Sequence, residues 1–292
     1  MVKPIRKLIK SLFGKHKKPH RPKISIIIPY GGRDRQRRTT LRWLIRYWLH
    51  EIPDAEIIIG FSRHRPFVKT EAFNNAVRRS RGKILALLDA DAFISGEPIV
   101  KAAHKILEEL KRGHHLWYVP YRRLYRLTEQ CTRPILASDP TDPLRPGDPP
   151  ATGCYENGKG TCSYGRRYAA MAIVIPRQAF DVLGCFDQRF CGWGGEDASI
   201  LRALDTLWGK HKSINGPIYH LWHPQIGHTY INRKWHGQKK NSPNNKLAQA
   251  YHQATRLPSK MRALVDAGAA AGKKGLARRA FEAIHIPTKK HR

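Results

Sequence analysis

Negative charge is what this chain has least of. Of its 292 residues only 22 are acidic, against 54 lysines and arginines, and the formal net charge is +32. The shortage is not confined to one end. Residues 1–23 carry nine Lys/Arg and no acid, residues 256–292 carry ten with two acids, and the body between them still holds +15. A basic tail alone fits a solvated extension. A basic body as well points to a polyanionic partner, nucleic acid or an anionic membrane surface; the alternative is an adaptation for solubility. Long apolar runs are also missing. None reaches the roughly 18–20 residues of a transmembrane helix, which excludes a spanning segment, and the spaced apolar residues of the basic N-terminus make a poor signal peptide. Cysteine is scarce. Residues 131, 154, 162, 185 and 191 are an odd set with no C-x-x-C pair, which argues against a zinc site or a full disulfide framework. They read as buried thiols in a reducing cytoplasm, with a Cys154–Cys162 bridge as the exception to consider. No internal repeat is visible. Neither a G-x-G-x-x-G fingerprint nor a Walker A loop occurs.

What is present is ample material for a core, with 41 % hydrophobic residues and seven tryptophans. Residues 23–29, Glu56–Gly60 and residues 83–88 are short β-branched or aliphatic runs, continuous enough for strands buried on both faces. Between and after them, residues 37–50, 69–81 and 97–112 have helical spacing. The alternation predicts an α/β fold, a doubly wound, mostly parallel sheet flanked by helices. Ligands then bind beyond the carboxyl ends of the strands, where Pro29, Gly60 and Asp89 lie. Further strands are expected at 116–119 and 169–175, with helices at 177–184 and 197–208. Residues 128–167, with five prolines in 140–150, read as one long surface loop, a candidate lid over an acceptor. Residues 1–23 read as a separate basic segment, 24–243 as the main domain, and 244–292 as a basic helical extension. Within the first, Ile5, Leu8, Ile9, Leu12 and Phe13 share a helical face opposite Lys3, Arg6, Lys7 and Lys10. Such a helix suits anionic lipid, nucleic acid, or packing on its own domain.

Three segments carry chemistry. Asp89 and Asp91 leave a buried strand two residues apart, so in extended backbone one metal or ribose meets both; hard carboxylates suit Mg²⁺ or Mn²⁺. The alternative is a cap or a loop ion pair. His220 and His223 add imidazole nitrogens, which shift the preference towards Mn²⁺, unless they are ordinary members of a set of fifteen histidines. Gly192-Trp193-Gly194-Gly195-Glu196-Asp197 joins a close-approach turn to a flat indole face and a carboxylate able to take a proton from a hydroxyl; Asp197 is also a candidate helix cap. After the first strand, Gly31 to Arg38 offers glycines and arginines suited to phosphate.

With these residues assembled, the chain resembles metal-dependent inverting glycosyltransferases of the GT-A fold, chiefly family 2 enzymes and the catalytic domain of β-1,4-galactosyltransferases. The likeness runs from about residue 24 to 235. Pro29-Tyr30 with Arg33 and Arg35 is similar to their donor-nucleotide loop, and Phe67, Lys69 and Asn74-Asn75 to the segment before the metal strand. Asp89-Ala90-Asp91 is similar to their D-x-D, and Trp193 to Asp197 to their acceptor motif. The resemblance implies a divalent metal, Mn²⁺ or Mg²⁺, on Asp91, His220 and His223. Asp89 would sit on ribose or metal, Arg33, Arg35 and Lys69 near the phosphates, and Asp197 would be the base. Trp193, Gly194, Gly195 and Glu196 would position sugar and acceptor. The donor expected is a nucleotide sugar, UDP first, although the second strand ends in Gly60-Phe61-Ser62 without the acid many relatives place there.

The acceptor does not transfer from the resemblance. Charge on the body as well as the tails favours nucleic acid, such as a hydroxylated base in phage DNA, placing the protein in a cytoplasm, that of the host if it is viral. The residue 3–13 helix favours instead a peripheral enzyme at the inner membrane surface, acting on lipid-linked or surface polysaccharide. A non-catalytic nucleic-acid-binding protein on the same fold is the third reading.

Overall fold

The computed structural model describes residues 23–32, 34–64, 66–155, 171–224, 241–276 and 283–286. The residue 3–13 helix, Arg33 and Cys162 lie outside these residues, as do 156–167 of the expected loop.

The first three strands, β1 (Ile24–Pro29), β2 (Glu56–Gly60) and β3 (Ile84–Leu88), are buried at every position. Aliphatic side chains on both faces leave no solvated side, which is the condition of a parallel strand covered by helices. β1 lies between the other two and parallel to both, with Ile26 level with Ile57 and Ala86. The crossovers are α1 (Arg35–Glu51) and α2 (Lys69–Val77). The second packs so tightly that a Cβ on Gly60 would fall 1.8 Å from the Ala72 carbonyl oxygen, so glycine is required there. A two-residue strand β4 (Ala92–Phe93), helix α3 (Gly96–Lys111), and strands β5 (Trp117–Val119) and β6 (Arg123–Arg126) follow. Helix α4 (Glu129–Ala137), strand β7 (Ala172–Pro176) and helices α5 (Arg177–Val182) and α6 (Glu196–Leu207) continue the chain. It then runs through β8 (His211–Ser213), β9 (Pro217–His220), α7 (Pro243–Gln253), α8 (Pro258–Leu276) and β10 (Ala283–Ile286).

The main sheet has the order β10-β2-β1-β3-β7-β5-β8. β10 and β7 run against the others, so five of the seven strands point one way. The expected α/β architecture is present: a mixed but mostly parallel sheet with helices packed on it. A second sheet, β4-β9-β6, was not foreseen. Two-residue β4 is too short to leave a periodic signal.

Three other expectations are corrected. Residues 128–167 are not one loop, since α4 occupies Glu129–Ala137; nine residues with Pro134 inside carry a weak helical pattern. Cys131 and Cys154 form a disulfide, Cα atoms 5.2 Å apart, where sequence offered buried thiols or a Cys154–Cys162 pair. The 244–292 segment is not helical throughout: Ala283–Ile286 is a strand that extends the sheet antiparallel to β2.

One buried polar knot ties the parallel strands at their amino ends. Glu56, 2 % exposed, accepts from the Ser25 hydroxyl at 2.6 Å and the Gly82 amide at 3.0 Å, and also from the Arg81 amide. This explains an acid at the start of an otherwise apolar strand, because buried donors need partners. Replacing Glu56 with Ala strands them. The expected loss is about 3 kcal/mol, read as a lower urea midpoint with unchanged slope.

Candidate active site

The second sheet builds the first half of the site. After β3 the chain turns, the Ala92 amide donating back to the Asp89 carbonyl at 3.1 Å. Antiparallel pairing of β4 with β9 then sets Ala92 opposite His220, which brings the histidine beside Asp91. The Leu221 amide donates to the Asp91 carbonyl at 2.9 Å. The Trp222 amide donates to the Thr132 hydroxyl at 2.8 Å, so α4 holds the histidine segment from the other side. His223 Nε2 lies 3.2 Å and His220 Nε2 3.8 Å from the Asp91 carboxylate. One ligand atom from each of the three residues lies within 4.8 Å of the others.

The donor set suits a divalent transition ion: one hard carboxylate and two imidazoles. His223 Nδ1 sits 3.0 Å from the Pro224 carbonyl oxygen. With a metal ion in place, an Nδ1–H donating to that oxygen would free the Nε2 lone pair for the ion, the arrangement a metal-binding histidine needs. Burial pushes the His220 imidazole down to about 4, against the pull of Asp91, so it is neutral as a ligand must be. For Asp91, burial favours the neutral form, but His220, a hydrogen bond from His223 and Arg37 outweigh it and hold the carboxyl below its usual range.

The second half is a cluster of carboxylates around one ammonium. Lys69, first residue of α2, places Nζ 2.6 Å from Asp89 Oδ1, 2.8 Å from Asp197 Oδ1 and 3.9 Å from Glu196 Oε1. Burial opposes the lysine's charge, yet the three acids raise its pKa well above normal. Lys69 therefore points at carboxylates where phosphates were expected. Asp89 and Asp91 do not share a partner, because the turn between them breaks the extended geometry that would align them. Burial, with Asp197 and Asp91 nearby, raises the Asp89 pKa well above normal in spite of Lys69. Burial and Asp197 push Glu196 up to about 7, with Lys69 opposing.

Glu196 and Asp197 reach the cluster because the turn before them is left-handed. Gly192, Gly194 and Gly195 have φ of +76°, +96° and +98°, a region costly for other residues. Gly195, and not Asp197, is the residue that caps α6. Trp193, between these glycines, is 52 % exposed. Asn244 clamps the turn, its Nδ2 donating to the Cys191 carbonyl at 2.9 Å and its Oδ1 accepting from the Cys191 amide at 3.1 Å. Sequence reading missed Asn244; the Ser242-Pro243 helix start was the available signal.

Of the expected donor residues, Pro29 ends β1 and is buried. Tyr30 is 2 % exposed, and its hydroxyl has no hydrogen-bond partner among the described residues. Arg35 is exposed on the first turn of α1. Asn74 and Asn75 are spent on backbone: Asn74 bonds both the amide and the carbonyl of Phe186, and Asn75 the Phe61 carbonyl. Phe67 accepts from the Gly192 amide through its carbonyl at 2.9 Å, joining this segment to the acceptor turn. Arg37, not singled out from sequence, has Nη2 at 2.9 and 3.1 Å from the two ring nitrogens of His223.

The raised Glu196 pKa has a consequence for stability. A carboxyl whose folded value lies above its unfolded one holds more protons when folded, so stability falls as pH rises from about 4.5 to about 7. Glu196→Gln should remove that slope and make the protein about 2 kcal/mol more stable at pH 8, measured by urea melts at pH 5 and pH 8.

No protein-family model matches the chain, and no curated protein does. Among solved structures, the catalytic domain of Drosophila β1,4-galactosyltransferase 7, in complex with xylobiose, is similar over 77 % of this chain and 79 % of that one. Identity is 12 % and the TM-score 0.41, too low for the likeness to carry an argument.

Proposed function

We propose that the chain is a metal-dependent inverting glycosyltransferase that moves a sugar from a nucleotide-diphosphate sugar, UDP-linked first, to a hydroxyl acceptor. The observation that carries this reading is the pairing of two clusters across Asp89-Ala90-Asp91. A divalent-cation ligand set adjoins a carboxylate cluster at the carboxyl end of β3, where α/β sheets bind ligands. The catalytic domain would be residues 24–243, between the basic segments 1–23 and 244–292.

Asp91, His220 and His223 would hold Mn²⁺ or Mg²⁺, which would offset charge on the departing diphosphate. The remaining work belongs to the chain. Asp197 accepts the acceptor's hydroxyl proton on the oxygen that Lys69 does not hold. The freed oxygen attacks the anomeric carbon from the face opposite the diphosphate. The new C–O bond forms as the sugar–phosphate bond breaks, and the electron pair leaves on the diphosphate. One displacement inverts the centre. Lys69 holds one oxygen of Asp197 at 2.8 Å and leaves the other for the acceptor. Trp193, Glu196 and the Gly194-Gly195 turn orient the two sugars, and Asp89 reaches the ribose. Pro29, Tyr30, Arg33 and Arg35 keep the donor-binding role that the resemblance implies.

For the acceptor we favour a polyanion, specifically a hydroxylated base in DNA. The support is α1. Arg35, Arg38, Arg42, Arg46 and His50 are exposed and recur every three or four residues along one face, and the helix has no acid before Glu51. A run of cations in the amino-terminal half opposes the helix dipole, so stability does not account for it. The disulfide favours the second reading, a glycan or lipid-linked acceptor. Disulfides persist in oxidising compartments, and the cytoplasmic expectation rested on unpaired thiols. Among the described residues no helix is long and apolar enough to cross a membrane.

Two outcomes are expected. With Mn²⁺ and a UDP-sugar, transfer to hydroxymethylated DNA should be abolished in Asp197→Asn, while UDP binding by calorimetry is kept; strong residual transfer would exclude Asp197 as base. In DNA binding measured across salt concentrations, the triple change of Arg38, Arg42 and Arg46 to Ala should flatten the log–log slope by about one unit per arginine. An unchanged slope would move the acceptor to a glycan or lipid.

A further inference from the structure

Arg37 stands inside the candidate metal centre, and no step above uses it. Its Nη2 lies 2.9 and 3.1 Å from the His223 ring nitrogens, and its Nη1 lies 3.8 Å from Asp91 Oδ2. The guanidinium thus rests on two of the three candidate ligands. Its Nε is buried 3.9 Å from Asp34 Oδ2, an ion-pair contact too long to be a hydrogen bond, and has no hydrogen-bond partner among the described residues. Its stem needs room: a Cβ on Gly32 would fall 2.6 Å and 2.7 Å from the Cβ and Cδ of Arg37.

A lone pair on His223 that accepts from Arg37 is not available to a metal ion. Two cations drawn to one carboxylate and one imidazole also repel each other. The two states therefore exclude one another, and the charge count says where Arg37 goes. A divalent ion on one carboxylate and two neutral imidazoles leaves a single positive charge. The diphosphate of a nucleotide sugar carries two negative ones. A guanidinium supplies the difference and presents a fork that fits phosphate oxygens.

We infer that Arg37 is a diphosphate-binding residue interlocked with the metal: it occupies His223 and Asp91 until a divalent ion displaces it, and then turns to the donor's phosphates. This rests on the donor reading above and adds the order of events. Metal enters against Arg37, and the released guanidinium raises affinity for the nucleotide. Metal and nucleotide thus bind with positive coupling even before they touch.

The test uses Mn²⁺ alone, followed by electron paramagnetic resonance of the free ion, and UDP titrated calorimetrically at saturating Mn²⁺. Arg37→Ala should bind Mn²⁺ about tenfold more tightly than wild type and UDP about tenfold more weakly. Arg37→Lys, which keeps the charge without the fork, should restore the weaker Mn²⁺ binding and only part of the UDP affinity; near-ultraviolet circular dichroism checks that both variants are folded. Mn²⁺ affinity unchanged or lowered in folded Arg37→Ala would overturn the interlock, provided that Asp91→Ala abolishes Mn²⁺ binding. Failure of the wild type to bind Mn²⁺ at all would overturn the metal reading, and this one with it.

Discussion

One ammonium group holds the acidic half of this site together. Lys69 opens α2, Asp89 follows β3, and Glu196 and Asp197 begin α6, so three separate segments meet at a single Nζ. Without that cation, three largely buried carboxylates would repel one another and shed their charge by taking up protons. With it, charge is shared unevenly. Lys69 contacts Asp89 and Asp197 closely and Glu196 at longer range. Glu196, the most buried of the three and the furthest from Nζ, has its pKa pushed up to about 7. The geometry that gives Asp197 the close contact with Lys69 leaves Glu196 a neutral hydrogen-bond donor over part of the neutral range.

The half built from Asp91 and the two histidines obeys a different constraint, since it is assembled by backbone pairing and not by charge. β4 is only two residues long, but its pairing with β9 fixes His220 beside Asp91. Trp222, between the two histidines, hangs on Thr132 of α4. That helix is tied through Cys131 to Cys154, and the Thr128 amide donates to the Cys154 carbonyl. The disulfide therefore braces the support on which the histidine segment rests, from outside the site. A short strand and a short helix, each marginal alone, become fixed because each has a covalent or hydrogen-bonded partner.

Sequence and structure agree where the signal is dense. The three parallel strands were legible because continuous aliphatic runs have one stable environment, a sheet covered on both faces. Asp91 with the two histidines was legible because ligand chemistry restricts residue type. Four features were not. Cysteine pairing cannot be deduced from spacing. α4 was absorbed into the proline-rich stretch that follows it. The place of Lys69 among carboxylates was not read because a lysine near a nucleotide site suits phosphate or carboxylate equally, and only the left-handed turn at Gly194-Gly195 delivers Asp197 to it. Arg37 was hidden by its neighbours: among the arginines of residues 33–38, spacing gives no reason to choose the one that faces His223.

Asp89 and Asp91, two residues apart, show how one turn serves two chemistries. Asp91 is kept ionised by imidazoles and by Arg37. Asp89 is pushed towards protonation by burial beside two other acids, with only Lys69 against it. Had the backbone stayed extended, both carboxylates would have pointed the same way and met the same partner. The turn closed by the Ala92 amide on the Asp89 carbonyl separates them. It sets Asp91 immediately before β4 of the second sheet and leaves Asp89 just past β3 of the first. The boundary between the two sheets is therefore also the boundary between the group of Asp91 with two histidines and the carboxylate cluster on Lys69.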